Sequence, residues 1–77
     1  MFRIMAYPNP GRHFFVVETD GLEILEVRVL DASGRVVQQL SAGRATKVRI
    51  NSVNWSPGVY LLEARTDEGV RTVRVVR

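Results

Sequence analysis

Apolar and polar residues alternate along most of this chain in short runs, the period of a strand with one face buried and one in water. The clearest run is Leu25 to Leu40, LEVRVLDASGRVVQQL. Val27 and Val29 alternate with Arg28, the segment Asp31-Ala32-Ser33-Gly34-Arg35 interrupts, and Val36, Val37 and Leu40 resume the pattern. The interruption is built as a turn. Asp31 can bond its carboxylate to the amides of the turn it opens. Gly34 can take the left-handed conformation that closes a three-residue hairpin loop with a bulge. With Arg35 opposite Asp31, the predicted register sets Val29 against Val37 and Val27 against Gln39, which puts Val27, Val29 and Val37 on one face.

The same alternation predicts strands on either side. Phe2 to Ala6 forms a first, unless residues 1–6 are linker. Tyr7-Pro8-Asn9-Pro10-Gly11 ends it, because each proline lacks an amide proton and restricts the residue before it. His13 to Glu18, HFFVVE, is apolar on both faces and predicts a central second strand; Thr19-Asp20-Gly21 is a turn signal. Glu23 to Leu30 and Arg35 to Leu40 are the third and fourth, followed by a polar loop, Ser41-Ala42-Gly43-Arg44. Thr46 to Ile50 is a fifth, with Val48 and Ile50 on one face and Lys47 and Arg49 on the other. An irregular Asn51–Gly58 connection precedes Val59 to Arg65, where Tyr60, Leu62 and Ala64 share a face. Thr66-Asp67-Glu68-Gly69 is a tight turn into Val70 to Arg77, where Val73 and Val75 share a face. Seven short strands with turn signals every ten residues or so, and no helical period, predict an all-β antiparallel sandwich or small barrel.

The chain has 77 residues, which allows one small domain over residues 1–77 that buries roughly 60–65% of its unfolded surface. Met1 reads as a start codon set before an excised domain. There is no cysteine, which removes disulfides and thiolate metal sites from consideration. No apolar run approaches the roughly 18 residues of a membrane span, and residues 1–10 lack the apolar stretch of a signal peptide. Eleven Lys and Arg against eight Asp and Glu give a net charge of +3 and a pI near 10.2, and all cations but Lys47 are arginine. A basic balance admits nucleic acid or an acidic surface as partner, yet Glu18, Glu26, Glu63 and Asp67 interleave with the cations, as on a solvated sheet face. Arg28, Lys47, Arg49, Arg65 and Arg71 are the cations that could line up as a stripe across one sheet. Single-stranded nucleic acid would also need exposed aromatic rings to stack on, and Phe14, Tyr60 and Trp55 are expected to be needed in the core.

Catalytic chemistry finds little purchase. His13, the single histidine, has no carboxylate or serine pattern beside it and reads as a solvated strand residue. The serines sit in turns, no carboxylates pair as acid and base, and 77 residues leave little room for a pocket. No catalytic, cofactor-binding or metal-ligating residue is assigned. Trp55, beside a Pro-Gly turn, is expected to cap one end of the core with its indole N–H on a backbone carbonyl, rather than to offer a sugar-stacking platform.

Three segments together carry a resemblance: Tyr7-Pro8-Asn9-Pro10-Gly11 followed by Phe14-Phe15-Val16-Val17; Val27 to Val37 around Asp31-Ala32-Ser33-Gly34-Arg35; and Pro57-Gly58-Val59-Tyr60-Leu61-Leu62 with the basic ending Arg74-Val75-Val76-Arg77. In that order and spacing they resemble the C-terminal sorting domain of proteins exported by the bacterial type IX secretion system. The immunoglobulin-like domain of the flagellar-hook capping protein shares these elements, but the short Arg44 to Gly58 segment is closer to the sorting domain. Two positions depart from the family's habit: Leu30 where an aromatic is frequent, and Arg for Lys near the end, which keeps the charge but changes its geometry.

The resemblance implies a seven-stranded immunoglobulin-like sandwich with a non-catalytic role: an address tag behind a cargo protein, recognised at the outer membrane and removed by a cysteine-protease sortase, with the cargo passing to the cell surface or joined to lipopolysaccharide. The implied partners are the secretion machinery, the sortase and anionic lipopolysaccharide, with no cofactor and no nucleic acid. The residues carried over are Tyr7, Pro8, Asn9, Pro10, Asp31, Gly34, Arg35, Gly58, Tyr60, Arg74 and Arg77. Read from residue types alone, Tyr7–Pro10 is a rigid corner and Asp31, Gly34 and Arg35 are a hairpin turn that would serve function by holding shape. The last strand, Val70 to Arg77, is expected to be anchored by Val73 and Val75 while Arg74 and Arg77 stay reachable. The alternative from another class is a carbohydrate- or nucleic-acid-binding accessory module of an extracellular enzyme.

Overall fold

The period-two alternation becomes seven strands in a computed structural model that describes residues 2–77. They are β1 Ile4–Tyr7, β2 Phe14–Thr19, β3 Ile24–Asp31, β4 Val36–Ala45, β5 Lys47–Asn51, β6 Val59–Thr66 and β7 Gly69–Val76. All pair antiparallel, in a three-stranded sheet of order β1-β2-β5 and a four-stranded sheet of order β4-β3-β6-β7. The two sheets face each other as an immunoglobulin-like sandwich. The reason is the alternation itself: Phe15 and Val17 from β2 and Val48 and Ile50 from β5 meet Val27, Val29, Tyr60, Leu62, Ala64 and Val75 from the other sheet in one buried cluster. β2 is central in its sheet, as its apolar content predicts.

The Asp31–Arg35 turn forms as expected. The Asp31 amide donates to the Arg35 carbonyl at 2.9 Å, the Gly34 amide donates to the Asp31 carbonyl at 2.9 Å, and Gly34 has φ 89°, a region that side-chain-bearing residues rarely enter. The register beyond the turn differs from the expected one. Leu30 faces Val36, but Val29 faces Gln38 and Val27 faces Leu40. Val37 is the extra residue of a β-bulge and lies exposed. The expected register would carry Gln39 and Ser41 inward behind Val37, setting two polar groups over the core. The bulge instead turns Gln38, Leu40 and Ala42 inward, and Leu40 and Ala42 pack on the core.

Ser41 to Arg44, expected as a loop, continues β4. Two residues more than β3 needs are taken up between the Ile24–Ala45 and Glu26–Ser41 pairs, where Gly43 and Arg44 have φ 61° and 63°. Polar composition here marks an edge strand with an irregularity, not a break. Phe14, expected in the core, lies on the outer face of the three-stranded sheet, with the Arg49 guanidinium 4.1 Å from its ring centroid. Nor is there a single cationic stripe. Lys47 and Arg49 stand on the three-stranded sheet. Arg28 and Arg65 stand on the other, each 3.6 Å from a carboxylate of Glu63 or Glu26. Arg71 points to the inner side and donates to the Phe2 carbonyl at 3.2 Å.

Candidate recognition surface

Proline cannot take part in a ladder as a donor, so the Tyr7–Gly11 segment leaves β1 at once. Both its X–Pro bonds, Tyr7–Pro8 and Asn9–Pro10, are cis. It lands on the free edge of β7. There the Val76 amide donates to Asn9 Oδ1 at 2.9 Å, Asn9 Nδ2 donates to the Arg74 carbonyl at 3.4 Å, and the Gly11 amide donates to the Val76 carbonyl at 2.9 Å. The Asn9 side chain thus acts as a short stand-in for a neighbouring strand, satisfying edge groups that would otherwise invite pairing. Gly11 is pressed against the core: a Cβ there would lie 2.6 Å from the Phe15 ring and 2.7 Å from the Phe14 carbonyl oxygen. The Tyr7 hydroxyl donates to Glu18 at 2.8 Å, and that hydrogen bond holds the Tyr7 phenol above its ordinary pKa by favouring the neutral form.

Ser52 and Arg77 complete this corner. The buried Ser52 hydroxyl donates to the Gly11 carbonyl at 3.2 Å, and the Ser52 amide donates to the carbonyl of the exposed His13 at 2.9 Å. Arg77 Nε donates to the Ser52 carbonyl at 2.7 Å and Nη2 to the Val53 carbonyl at 2.8 Å, while its backbone exchanges hydrogen bonds with Gly58. Arg77 is therefore a half-buried clasp on the Ser52–Val53 loop, not the reachable cation expected from its place at the end of a basic tail. A guanidinium is suited to this, because its planar fork can serve two carbonyls at once. Arg74 is exposed, and its side chain meets no carboxylate among the described residues.

At the neighbouring turn, Asp31 Oδ1 accepts from the Ser33 amide at 3.0 Å, the Ser33 hydroxyl at 2.6 Å and the Arg35 amide at 3.0 Å; Arg35 Nε lies 3.3 Å from Oδ2. Hydrogen bonds from the Ser33 hydroxyl and the Arg35 amide hold the carboxyl below its ordinary pKa. Asp31 pairs with Tyr60 across β3 and β6, and the Tyr60 hydroxyl donates to the Ser56 carbonyl at 2.6 Å. Trp55 packs between Phe15 and Tyr60, with centroids 5.6 and 4.7 Å away. Its core role is as expected, but its indole N–H donates to the side-chain oxygen of Gln38 at 3.1 Å instead of a backbone carbonyl. An open groove of about 670 Å³ lies beside it, lined among others by Asp31, Gln38, Asn51, Asn54 and Ser56.

All the motif segments gather at one end of the sandwich. The register places Asp31 beside Tyr60 and Val59 beside Val76, and the Tyr7–Pro10 corner binds Arg74 and Val76. Gly34, Gly58, Tyr60, Asn9 and Arg77 hold backbone in place, whereas Tyr7, Pro8, Pro10, Arg35 and Arg74 are exposed. Sequence reasoning missed Ser52 and Gln38. Both sit among polar residues of ordinary turn and strand composition, and only the closed fold reveals what they bond. Among the described residues no group of three or more His, Asp or Glu is placed to hold a metal ion.

Residues 5–77 match the family model of the secretion system C-terminal sorting domain. No curated protein matches the chain.

Proposed function

The chain belongs to the family of type IX secretion C-terminal sorting domains, tails that mark a protein for export to the cell surface or secretion, and from that premise we propose that it directs an upstream cargo protein through the outer membrane and is recognised as one folded surface. The role is binding, not catalysis. The observation that carries the proposal is the Asn9 bridge to Val76 and Arg74. Two motif segments at opposite ends of the sequence form one physical unit, so a receptor reading that end reads a conformation that exists only when the sandwich is closed. Within it, Asn9, Gly34, Gly58, Tyr60 and Arg77 preserve shape, and Tyr7, Pro8, Pro10, Asp31 with Arg35, and Arg74 are the groups offered for contact by the machinery and then the sortase. Anionic lipopolysaccharide is a further partner for the exposed cations, of which Arg74 meets no carboxylate among the described residues.

The test is a fusion of this chain behind a reporter that carries a signal peptide, in a type IX-competent host. The reporter is expected in the medium or on the cell surface. A folded reporter retained in the periplasm would refute the reading. An accessory sugar-binding module is less well supported, because Trp55 is packed against Phe15 and Tyr60 and Phe14 lies under the Arg49 guanidinium.

A further inference from the structure

The outer face of the four-stranded sheet is divided in two. Toward the far end from the Asp31 turn, it is a ladder of paired charges. Gln39, Arg28, Glu63 and Thr72 form one row across the four strands, and Ser41, Glu26, Arg65 and Val70 form the next. Arg28 lies 3.6 Å from Glu63, Arg65 lies 3.6 Å from Glu26, and Gln39 Nε2 donates to Glu26 at 2.7 Å. This is the ordinary, solvated outer face of an antiparallel sheet.

The end next to the turn is different. Leu30 faces Val36 on one side and Leu61 on the other, and Val59 faces Val76. The bulge residue Val37 is not part of this patch; it lines the groove beside Gln38, Trp55 and Tyr60. Val36 and Val76 are 38% and 37% exposed, and Leu30, Leu61 and Val59 are half-buried. Five contiguous aliphatic side chains therefore occupy an outer face where alternation would place polar ones. Core packing does not require them, since the opposite face of each strand already fills the core. A contiguous exposed apolar patch with a polar rim is the signature of a docking surface.

Rim and size narrow the occupant. Arg74 follows Leu61 in the row Val36–Leu30–Leu61–Arg74. Of the arginines on this face it is the one with no carboxylate beside it among the described residues. A partner that covers the patch would meet an unpaired guanidinium at its edge. A second copy would bring the same positive rim. Stable interfaces take about 20–30 residues a side, and a patch of five residues falls well short of what a lasting homodimer needs.

We infer that this patch is the docking surface for the export receptor, a protein face that is apolar at its centre and carries a carboxylate opposite Arg74. The inference rests on the sorting reading above and gives it a location. The contact is small and transient, as a tag handed from one component to the next requires.

The experiment compares three forms of the reporter fusion in the type IX-competent host: the chain itself, Arg74→Glu, and the triple variant Val36→Thr, Leu61→Thr, Val76→Thr, which keeps β-branched or strand-compatible residues while removing the apolar surface. Urea unfolding of each isolated domain establishes that it is folded. The expected result is export of the parent and a loss of roughly tenfold or more in export rate for both variants, the scale of a single interface hot spot. If the parent itself stays in the periplasm, the sorting reading fails. If the parent is exported and both folded variants keep pace with it, the sorting reading stands and the patch assignment is overturned. Should the triple variant not fold, Arg74→Glu, on an exposed side chain, decides alone. Sedimentation of the isolated domain covers the second occupant: a dimer that the triple variant splits would assign the patch to self-association and overturn the receptor. Flotation with phosphatidylethanolamine–phosphatidylglycerol vesicles covers the third: co-flotation of the parent but not the variants would assign it to a membrane.

Discussion

Arg74 and Arg77 are three residues apart, carry the same charge and do opposite work. Arg77 supplies donors to the Ser52 and Val53 carbonyls, the first of which it shares with the Trp55 amide, and the net contribution of a hydrogen bond to a charged group is about 1.5–3 kcal/mol. Arg77→Glu is expected to destabilise the fold by about 1–2 kcal/mol in urea unfolding, while Arg74→Glu stays within about ±0.5 kcal/mol. Equal midpoints for the two would show that the clasp is not stabilising. Asp31 makes a second residue-scale prediction. Its folded pKa is depressed by the Ser33 hydroxyl and the Arg35 amide, so its contribution to stability is complete above the unfolded value, about 3.9, and is lost as pH falls through the folded value. Asp31→Asn lacks that titration. Its stability, followed by urea unfolding from pH 7 to pH 2, is expected to trail the parent at neutral pH and to converge on it in acid. A constant gap across the whole range would contradict the linkage.

At the scale of elements, the β3–β4 hairpin depends on Gly34 for its backbone alone. Its φ is 89°, and no heavy atom lies within 4 Å of where a Cβ would be. Gly34→Val is therefore expected to cost about 1–3 kcal/mol purely as a conformational penalty, with the urea m-value unchanged. The strands, the turn chemistry and the inward faces of β5, β6 and β7 were legible in the sequence because alternation, glycine and aspartate each act locally. What was not legible followed from competition between registers. Val37 and Gln38 offer β4 two alternations, and the choice turns on Trp55, 17 residues away, and on Leu40 and Ala42 finding room in the core. Phe14 was misplaced for the same reason: in HFFVVE both faces are apolar, and nothing local says which ring is covered by protein and which by the Arg49 guanidinium.

At the scale of the whole molecule, the candidate site is an arrangement that no single motif could disclose. The sequence announces a proline corner, a turn and a basic tail as separate signals; their convergence at one end comes from the sheet order β4-β3-β6-β7 and the return of residues 7–11 to β7. β7 contributes Val75 to the core, with Val73 packed against it, and it is the element to which Phe2, Asn9 and Gly11 are all bonded. A fragment of residues 2–68 should consequently fail to hold the sandwich. Its Trp55 fluorescence is expected to match that of the full chain in strong denaturant, and cooperative unfolding of the fragment would refute the central place given to β7.

The bond from Val76 to Asn9 spans 67 positions, and this has a consequence in time. Contacts between such distant positions form late, after most of the chain's loop entropy has been surrendered. A ribosome lays down the corner long before the strand that it clamps, so every interrupted product carries an open corner with nothing to hold. Only a chain read through to Val76 can close it. On the sorting reading proposed above, the bridge would work as a proof of completeness: a receptor for the closed end would, by the same act, decline every product whose translation stopped short of Val76.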